Sequence, residues 1–144
     1  MDTLTILKTM RAVVADIEPD RFDMGPWFEL DTQCGCIVGL TLHEQPRVAD
    51  ELRLYLVPNG EYSLRPGDMF GAPFGDSAFV KIARLIGISE EEAVHLFCAD
   101  EYPAGGAGVA GKAEALRRLD ALITKYAPSE TNELAAPRLS KQPA

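Results

Sequence analysis

The stretch of small and apolar residues at positions 34–42 constrains the fold of this chain more than any other feature. It reads Cys-Gly-Cys-Ile-Val-Gly-Leu-Thr-Leu and contains no charged residue. Its two glycines, Gly35 and Gly39, weaken a helix in isolation but allow another backbone to approach closely. We therefore predict a short buried helix here and expect it to be the most deeply buried part of the core.

Four further segments have apolar residues at helical spacing, and proline or glycine separates them. These predicted helices lie at residues 3–18, 77–86, 90–97 and 111–126. Asp76 or Ser77 is expected to cap the second of them, and Gly87 ends it. Ser89 and Glu92 have the spacing of a capping box, which marks the start of the third.

One segment can be interpreted in two ways. Residues 52–57 alternate between leucine and other side chains, and a Pro-Asn-Gly turn follows them. This pattern predicts a small β-hairpin within residues 52–64. Val48 and Tyr55 also share one helical face, so a helix covering 48–56 is the alternative.

These elements predict a single, mainly α domain. The chain has 144 residues, of which 47% are hydrophobic and 25% charged, and this suits one compact domain with its own core. We expect a bundle of four or five helices with a small hairpin across residues 1–127. Residues 128–144 are polar and contain prolines without periodicity, so they are predicted to be a disordered tail.

The net charge of −8 at pH 7 restricts the classes of partner. A surface this acidic repels the phosphates of nucleic acids, so we expect no nucleic-acid binding. The sequence has no window of about 18 apolar residues, which predicts that the chain does not cross a membrane. Its first residues lack the basic flank and apolar run of a secretory signal, and a cytoplasmic location is therefore expected.

A glycine-rich segment at residues 106–113 matches a dinucleotide-binding pattern and most of a phosphate-loop pattern. A phosphate loop follows a strand, and residues 99–104 are not typical of one. Ala113 also occupies the position of the hydroxyl that binds magnesium in such loops. We therefore predict a loop between helices here, with no cofactor.

Residues 78–97 resemble a DNA-binding helix-turn-helix in the spacing of Ala83, Gly87 and Val94. The second helix of such a motif enters the major groove by its N-terminal residues, which are glutamates at positions 90–92 here. Because glutamates repel phosphate, we predict a plain helical corner.

The cysteines and histidines could supply a metal site or a thiol nucleophile. The candidates are Cys34, Cys36, His43, His95 and Cys98. Cys-x-Cys with His-x-x-Cys would provide a tetrahedral zinc site if the two segments met. Paired cysteines in structural zinc sites usually have about two to four residues between them, however, and no basic residue next to these cysteines lowers a thiol pKa. We therefore predict reduced thiols that pack in the core, and no metal.

Several short motifs resemble those of a group of short uncharacterised proteins from bacteria and their phages. The motifs are Phe22-Asp23-Met24-x-x-Trp27, Cys36-Ile37-Val38-Gly39 and Gly87-Ile88-Ser89-x-x-Glu92-Ala93-x-x-Leu96-Phe97. The group has Cys-Gly-Thr-x-x-Cys, whereas this chain has Asp31 at the first cysteine position and Cys34 closer to Cys36. The resemblance covers about residues 3–126. It implies a small, mostly helical domain and no particular activity.

The leading functional hypothesis is a small non-enzymatic module that interacts with a protein partner or with a second copy of itself. It follows from the failure of each catalytic pattern to meet its required context. The alternatives are a metal-binding protein or enzyme that uses the cysteines and histidines, and a DNA-binding regulator that uses residues 78–97.

Overall fold

The computed structural model describes residues 1–67 and 76–128 and is mainly α-helical within them. Its helices are α1 (Thr3–Asp16), α2 (Ile37–Glu44), α3 (Pro46–Leu52), α4 (Asp76–Ile86), α5 (Glu90–Phe97) and α6 (Gly108–Tyr126). The strands β1 (Phe28–Glu29), β2 (Leu56–Pro58) and β3 (Ser63–Pro66) form one antiparallel sheet in the order β1-β3-β2. The prediction of a mainly α fold with a small hairpin is confirmed. The described residues form six α-helices rather than the predicted four or five, because the short α3 is an additional helix. The predicted tail, except for Pro128, lies outside the described residues. The predicted cap at Asp76 or Ser77 depends on side chains that also lie outside the described part of the chain.

One core joins these elements. Its largest fully buried side chains come from β1, from the segment before it, and from every α-helix named above except α3. They are Ile6, Leu7, Met10, Val14, Phe22, Phe28, Ile37, Leu40, Ile82, Leu96 and Leu119. Each such side chain stabilises the fold by about 1.5–3 kcal/mol relative to an exposed one. The helical spacing identified the buried face of α1, α4 and α5. In α6 the apolar spacing indicates a face that begins at Val109 and Ala113, but both residues are exposed. The buried residues of α6 are Gly111, Ala115 and Leu119, because Gly111 packs against the backbone of Gly106.

Helix α2 lies in the segment predicted to be the most buried. Cys36 is its N-cap, and the Sγ atom accepts a hydrogen bond from the backbone N–H of Gly39 at 3.4 Å. Residues 34–36 are extended rather than helical, because Gly35 forms β-bridges with Phe22 and Phe28. Residues 37–42 are all buried, as predicted.

Two glycines allow this segment to lie directly against the backbone of Trp27. A Cβ atom at Gly39 would overlap the carbonyl group of Trp27, and one at Gly35 would lie 2.8 Å from the carbonyl oxygen. The same oxygen accepts a hydrogen bond from the N–H of Cys36 at 3.2 Å. Both glycines are therefore required by packing.

The predicted alternatives for residues 48–64, a helix and a hairpin, are both present and each is shorter than predicted. Helix α3 ends at Leu52, and Arg53 then takes a left-handed conformation with φ of 54°. This turn ends the helix before residue 56. Strands β2 and β3 form the hairpin, which extends to Pro66, slightly beyond the predicted range.

Helices α4 and α5 form the predicted corner. Gly87 follows α4 with a φ of 92°, and Ser89 and Glu92 form the capping box in both directions. Helix α6 starts at Gly108 rather than at residue 111. Its first turn is held by a hydrogen bond from the N–H of Gly108 to the carbonyl of Phe22 at 2.9 Å.

Glu92 also joins the start of α5 to the end of α6. Its carboxylate accepts hydrogen bonds from the ammonium of Lys125, the hydroxyl of Tyr126 and the N–H of Ser89. Burial by itself raises the pKa of Glu92, but the hydrogen bonds outweigh burial and lower the pKa to about 2. The charged form of Glu92 therefore stabilises the folded state.

We expect Gly39→Ala to lower the free energy of unfolding by more than about 3 kcal/mol, because the new methyl group meets backbone atoms that cannot move aside. The matched control is Gly25→Ala, at an exposed position where the new methyl meets only the flexible side chain of Asp23. The control should change stability by less than about 0.5 kcal/mol. Urea denaturation followed by circular dichroism measures both, and equal midpoints would contradict the packing role of Gly39.

We expect Glu92→Gln to destabilise the protein at pH 7 by about 1.5–3 kcal/mol, because glutamine keeps the capping box but loses the charge. The folded pKa of Glu92 lies below its usual value of 4.5, so the stabilisation is present above pH 4.5 and is lost as the pH falls towards 2. The difference in stability between wild type and variant should shrink over that interval. The exposed neighbour Glu91, changed to Gln, is the control and should show no such narrowing.

Candidate functional site: a basic groove beside α4

A groove lies between the α3–β2 connection and α4. It has a volume of about 400 Å³ and is lined by Leu52, Arg53, Leu54, Gly67, Lys81, Arg84 and Leu85, a set called the basic groove from here on. Its apolar part consists of the three leucines. Leu54 is buried, whereas Leu85 is 42% exposed. An exposed leucine in the wall of a cavity of this size is typical of a surface that contacts a ligand or a partner.

Two guanidinium groups at the edge of the groove have no hydrogen-bond or ion-pair partner among the described residues. Arg53 and Arg84 are both exposed, and neither has a hydrogen bond or an ion pair with the described part of the chain. Lys81 precedes Arg84 by one helical turn on α4 and is half-buried. Among the described residues, the lining therefore includes three cations and no acid.

Two carboxylates close to Arg53 in the chain bind other groups. On α3, the Asp50 carboxylate accepts a hydrogen bond from the hydroxyl of Tyr55 at 2.9 Å, and Glu51 accepts one from the amino group of Met1 at 2.8 Å. In α4, Asp76 is followed by residues 77–86, which include no acid.

Arg53 also has an unusual backbone conformation. Its left-handed φ and ψ of 54° and 45° end α3 and start the path into β2. Glycine is the residue that usually takes this conformation at a helix end, and another residue there costs roughly 1 kcal/mol or more. The chain therefore has a guanidinium at a position where backbone energy alone favours glycine.

A smaller cavity of about 10 Å³ lies beneath the groove and shares Leu52, Leu54 and Leu85 with it. Its volume is close to that needed for one water molecule. Thr41 is one of the residues that line this cavity. Its side chain is fully buried, and its hydroxyl has no hydrogen-bond partner among the described residues.

Sequence reasoning did not identify the basic groove. One signal was present, since Lys81, Arg84 and Leu85 are spaced to share a face of α4. The other wall could not be inferred, because the path from Arg53 into β2 depends on where α3 ends.

The three cysteines are free thiols at separate points of the fold. The Cys34 thiol donates to the carbonyl of Asp20 at 3.3 Å, Cys36 caps α2, and Cys98 follows the last residue of α5. Cys36 is buried, whereas the other two are half-buried. Burial raises the pKa of the Cys36 thiol to about 11, although hydrogen bonds from α2 backbone N–H groups oppose it. Cys36 is therefore a packed, protonated thiol at neutral pH.

The two histidines have separate surroundings. The ring of His43 stacks on Phe28 with the centroids 4.3 Å apart, and its Nδ1 lies 3.1 Å from the carboxylate of Glu44. His95 is exposed on α5, and its carbonyl accepts a hydrogen bond from Arg118 at 2.7 Å. Within residues 1–67 and 76–128, no three or more His, Cys, Asp or Glu side chains are placed to hold a metal ion. The hypothesised metal cluster is thus not assembled in this part of the chain.

The glycine-rich segment has a structural arrangement rather than that of a phosphate loop. It follows 3₁₀ turns instead of a strand, and Gly111 packs against the backbone of Gly106. Residues 108–113 form the first turns of α6, so the prediction of a loop across residues 106–113 is wrong for this part. The Lys112 ammonium donates to the carbonyls of Ala15 and Ile17, at 3.0 and 2.6 Å. This lysine therefore stabilises the C-terminal end of α1.

The second helix of the corner at residues 78–97 begins with an acidic turn. Glu90 and Glu91 are exposed, and Glu92 binds Lys125 and Tyr126 of α6. This charge is opposite to the one that would contact phosphates.

We expect Cys36 to react with N-ethylmaleimide at pH 8 at least about 100-fold more slowly than Cys34 or Cys98, because it is buried and its pKa is raised. Peptide mapping by mass spectrometry after timed labelling measures each site. In 6 M guanidinium the three rates should become similar. Equal rates in the native protein would contradict the structural role of this thiol.

Comparison of the chain with family models, with curated proteins and with solved structures gave no match. No helix in the described ranges is long and apolar enough to cross a bilayer. The arrangement of residues in the basic groove is therefore the basis on which a function can be assigned.

Proposed function

We propose that this chain is a small cytoplasmic, non-enzymatic interaction module that binds a protein partner through the basic groove. The observation that carries this proposal is an accessible leucine surface beside two guanidinium groups that have no partner among the described residues, in a protein of net charge −8. Arginine beside exposed apolar surface is enriched where proteins contact each other.

The distribution of charge supports this choice of surface. The groove contains three of the fourteen lysines and arginines of the chain, although acids outnumber bases. Several other basic side chains bind within the fold, as Lys112 does at the end of α1. Arg53 and Arg84 have no such internal role among the described residues. Their unused hydrogen-bond donors are therefore available to a partner.

The backbone at Arg53 supports the same surface. Conformations that cost energy are enriched at functional sites, although Gln33 and Ala104 have positive φ outside the groove. Here the left-handed turn places a guanidinium at the edge of an apolar groove.

The candidate catalytic residues favour a non-enzymatic role. Cys36 is buried and protonated, and the described cysteines and histidines do not cluster as metal ligands. The free thiols of Cys34 and Cys98 fit a reducing compartment such as the cytoplasm.

Site-specific crosslinking tests this proposal. A benzoylphenylalanine residue in place of Leu85 lies in the groove, whereas one in place of Val109, which is 73% exposed on α6, lies outside its lining. In cells that express the chain, we expect a discrete crosslinked product from position 85 and none from position 109. The product should disappear when Arg53→Glu and Arg84→Glu are added.

Two results of this experiment would contradict the proposal. Equal crosslinking from both positions would indicate random collisions, and a product that is insensitive to charge reversal would remove the groove from the interaction. A product of twice the mass of the chain would identify the partner as a second copy.

A further inference from the structure

We infer that the occupant of the basic groove is an acidic segment of a partner protein that presents one bulky apolar side chain between carboxylates. This inference rests on the proposed function and specifies the chemistry of the partner. Charge complementarity and the shape of the groove carry it.

The apolar part of the groove fits an anchor side chain. Leu52, Leu54 and Leu85 lie together in a cavity of about 400 Å³. This volume is at the lower end of the ~300–1,000 Å³ that is usual for sites binding drug-sized ligands. It therefore suits one or two side chains rather than the full apolar face of a long helix.

The two arginines of the groove favour an anionic segment. Arg53 belongs to one wall of the groove, and Lys81 and Arg84 belong to the other. The planar guanidinium forms paired hydrogen bonds with a carboxylate, and such charge-assisted bonds are about twice as strong as neutral ones. Carboxylates on both sides of the anchor would therefore meet a cation on each wall.

The net charge of the protein limits how acidic the segment can be. At a distance, a protein of net charge −8 repels an acidic partner. At physiological ionic strength this repulsion is screened beyond about 8 Å, so contacts inside the groove decide the affinity. A short segment with a few carboxylates gains those contacts with little repulsion. A nucleic acid has a charge on every phosphate and offers no apolar anchor, which disfavours it as an occupant.

Fluorescence anisotropy with synthetic peptides tests the inference. The parent peptide is fluorescein-labelled Ser-Glu-Asp-Leu-Asp-Glu-Ser with an amidated C-terminus. One control peptide replaces its leucine with serine, and the other replaces its acids with glutamine and asparagine. With the full chain at 150 mM salt, we expect the parent peptide to bind at least about tenfold more tightly than either control.

Matched protein variants locate the binding. Arg53→Gln combined with Arg84→Gln should weaken binding of the parent peptide at least about tenfold. Arg117→Gln removes an arginine on α6 that pairs with Glu114, and it should leave peptide binding unchanged. Circular dichroism spectra and melting temperatures equal to those of the wild type show that the double variant is folded.

Each remaining outcome has a defined meaning. If the neutral peptide binds as well as the parent, or the parent does not bind, the inference is wrong. Binding of decanoate without binding of the peptide would overturn it in favour of a small anionic amphiphile. If crosslinking still depends on the groove but the peptides do not bind, the proposed function holds and the partner has a different chemistry from the one inferred. Failure of both experiments would remove the proposed function as well.

Discussion

The close contact between α2 and the backbone of Trp27 is the constraint on which the other elements depend. Gly39 has no side chain, so its backbone reaches the Trp27 carbonyl, and the N–H of Cys36 donates to the same group. This contact places α2 in the core and aligns Phe28 with its partner strand β3. A side chain at Gly39 would separate these layers, and the dense packing of protein interiors leaves no space to absorb the shift.

The basic side chains divide into those that stabilise the fold and those that remain available. Lys112 donates to carbonyls at the end of α1, and Arg118 donates to the carbonyls of His95 and Glu101. Both satisfy backbone groups that a helix or turn leaves unpaired at its end. Arg53 and Arg84 have no such role within the described residues.

The fold was predictable where local patterns decide it. The capping box at Ser89 and Glu92 and the helical spacing of residues 3–18 identified their elements, because short-range hydrogen bonds and amphipathicity act within a few residues. The boundaries were less predictable. Helix α6 starts early because Gly108 bonds to the distant Phe22, and residues 34–36 are extended because Gly35 pairs with other strands. The motifs that resemble those of the bacterial and phage proteins include Cys36 and Gly39, and both residues act in packing. The resemblance therefore remains a proposal, and it concerns the fold rather than an activity.

By itself, the sequence determined the helical class, the buried segment around Gly39 and the acidic character of the surface, because these follow from spacing and composition. The tertiary structure decided which charges remain unpaired. Arg53 and Arg84 are distant in the chain, and they line one groove because α3 ends at Leu52 and its exit lies beside α4. Asp50 pairs with Tyr55 and Glu51 with Met1, whereas those arginines have no internal partner among the described residues. Such pairings depend on distances in space, which the order of residues alone does not specify.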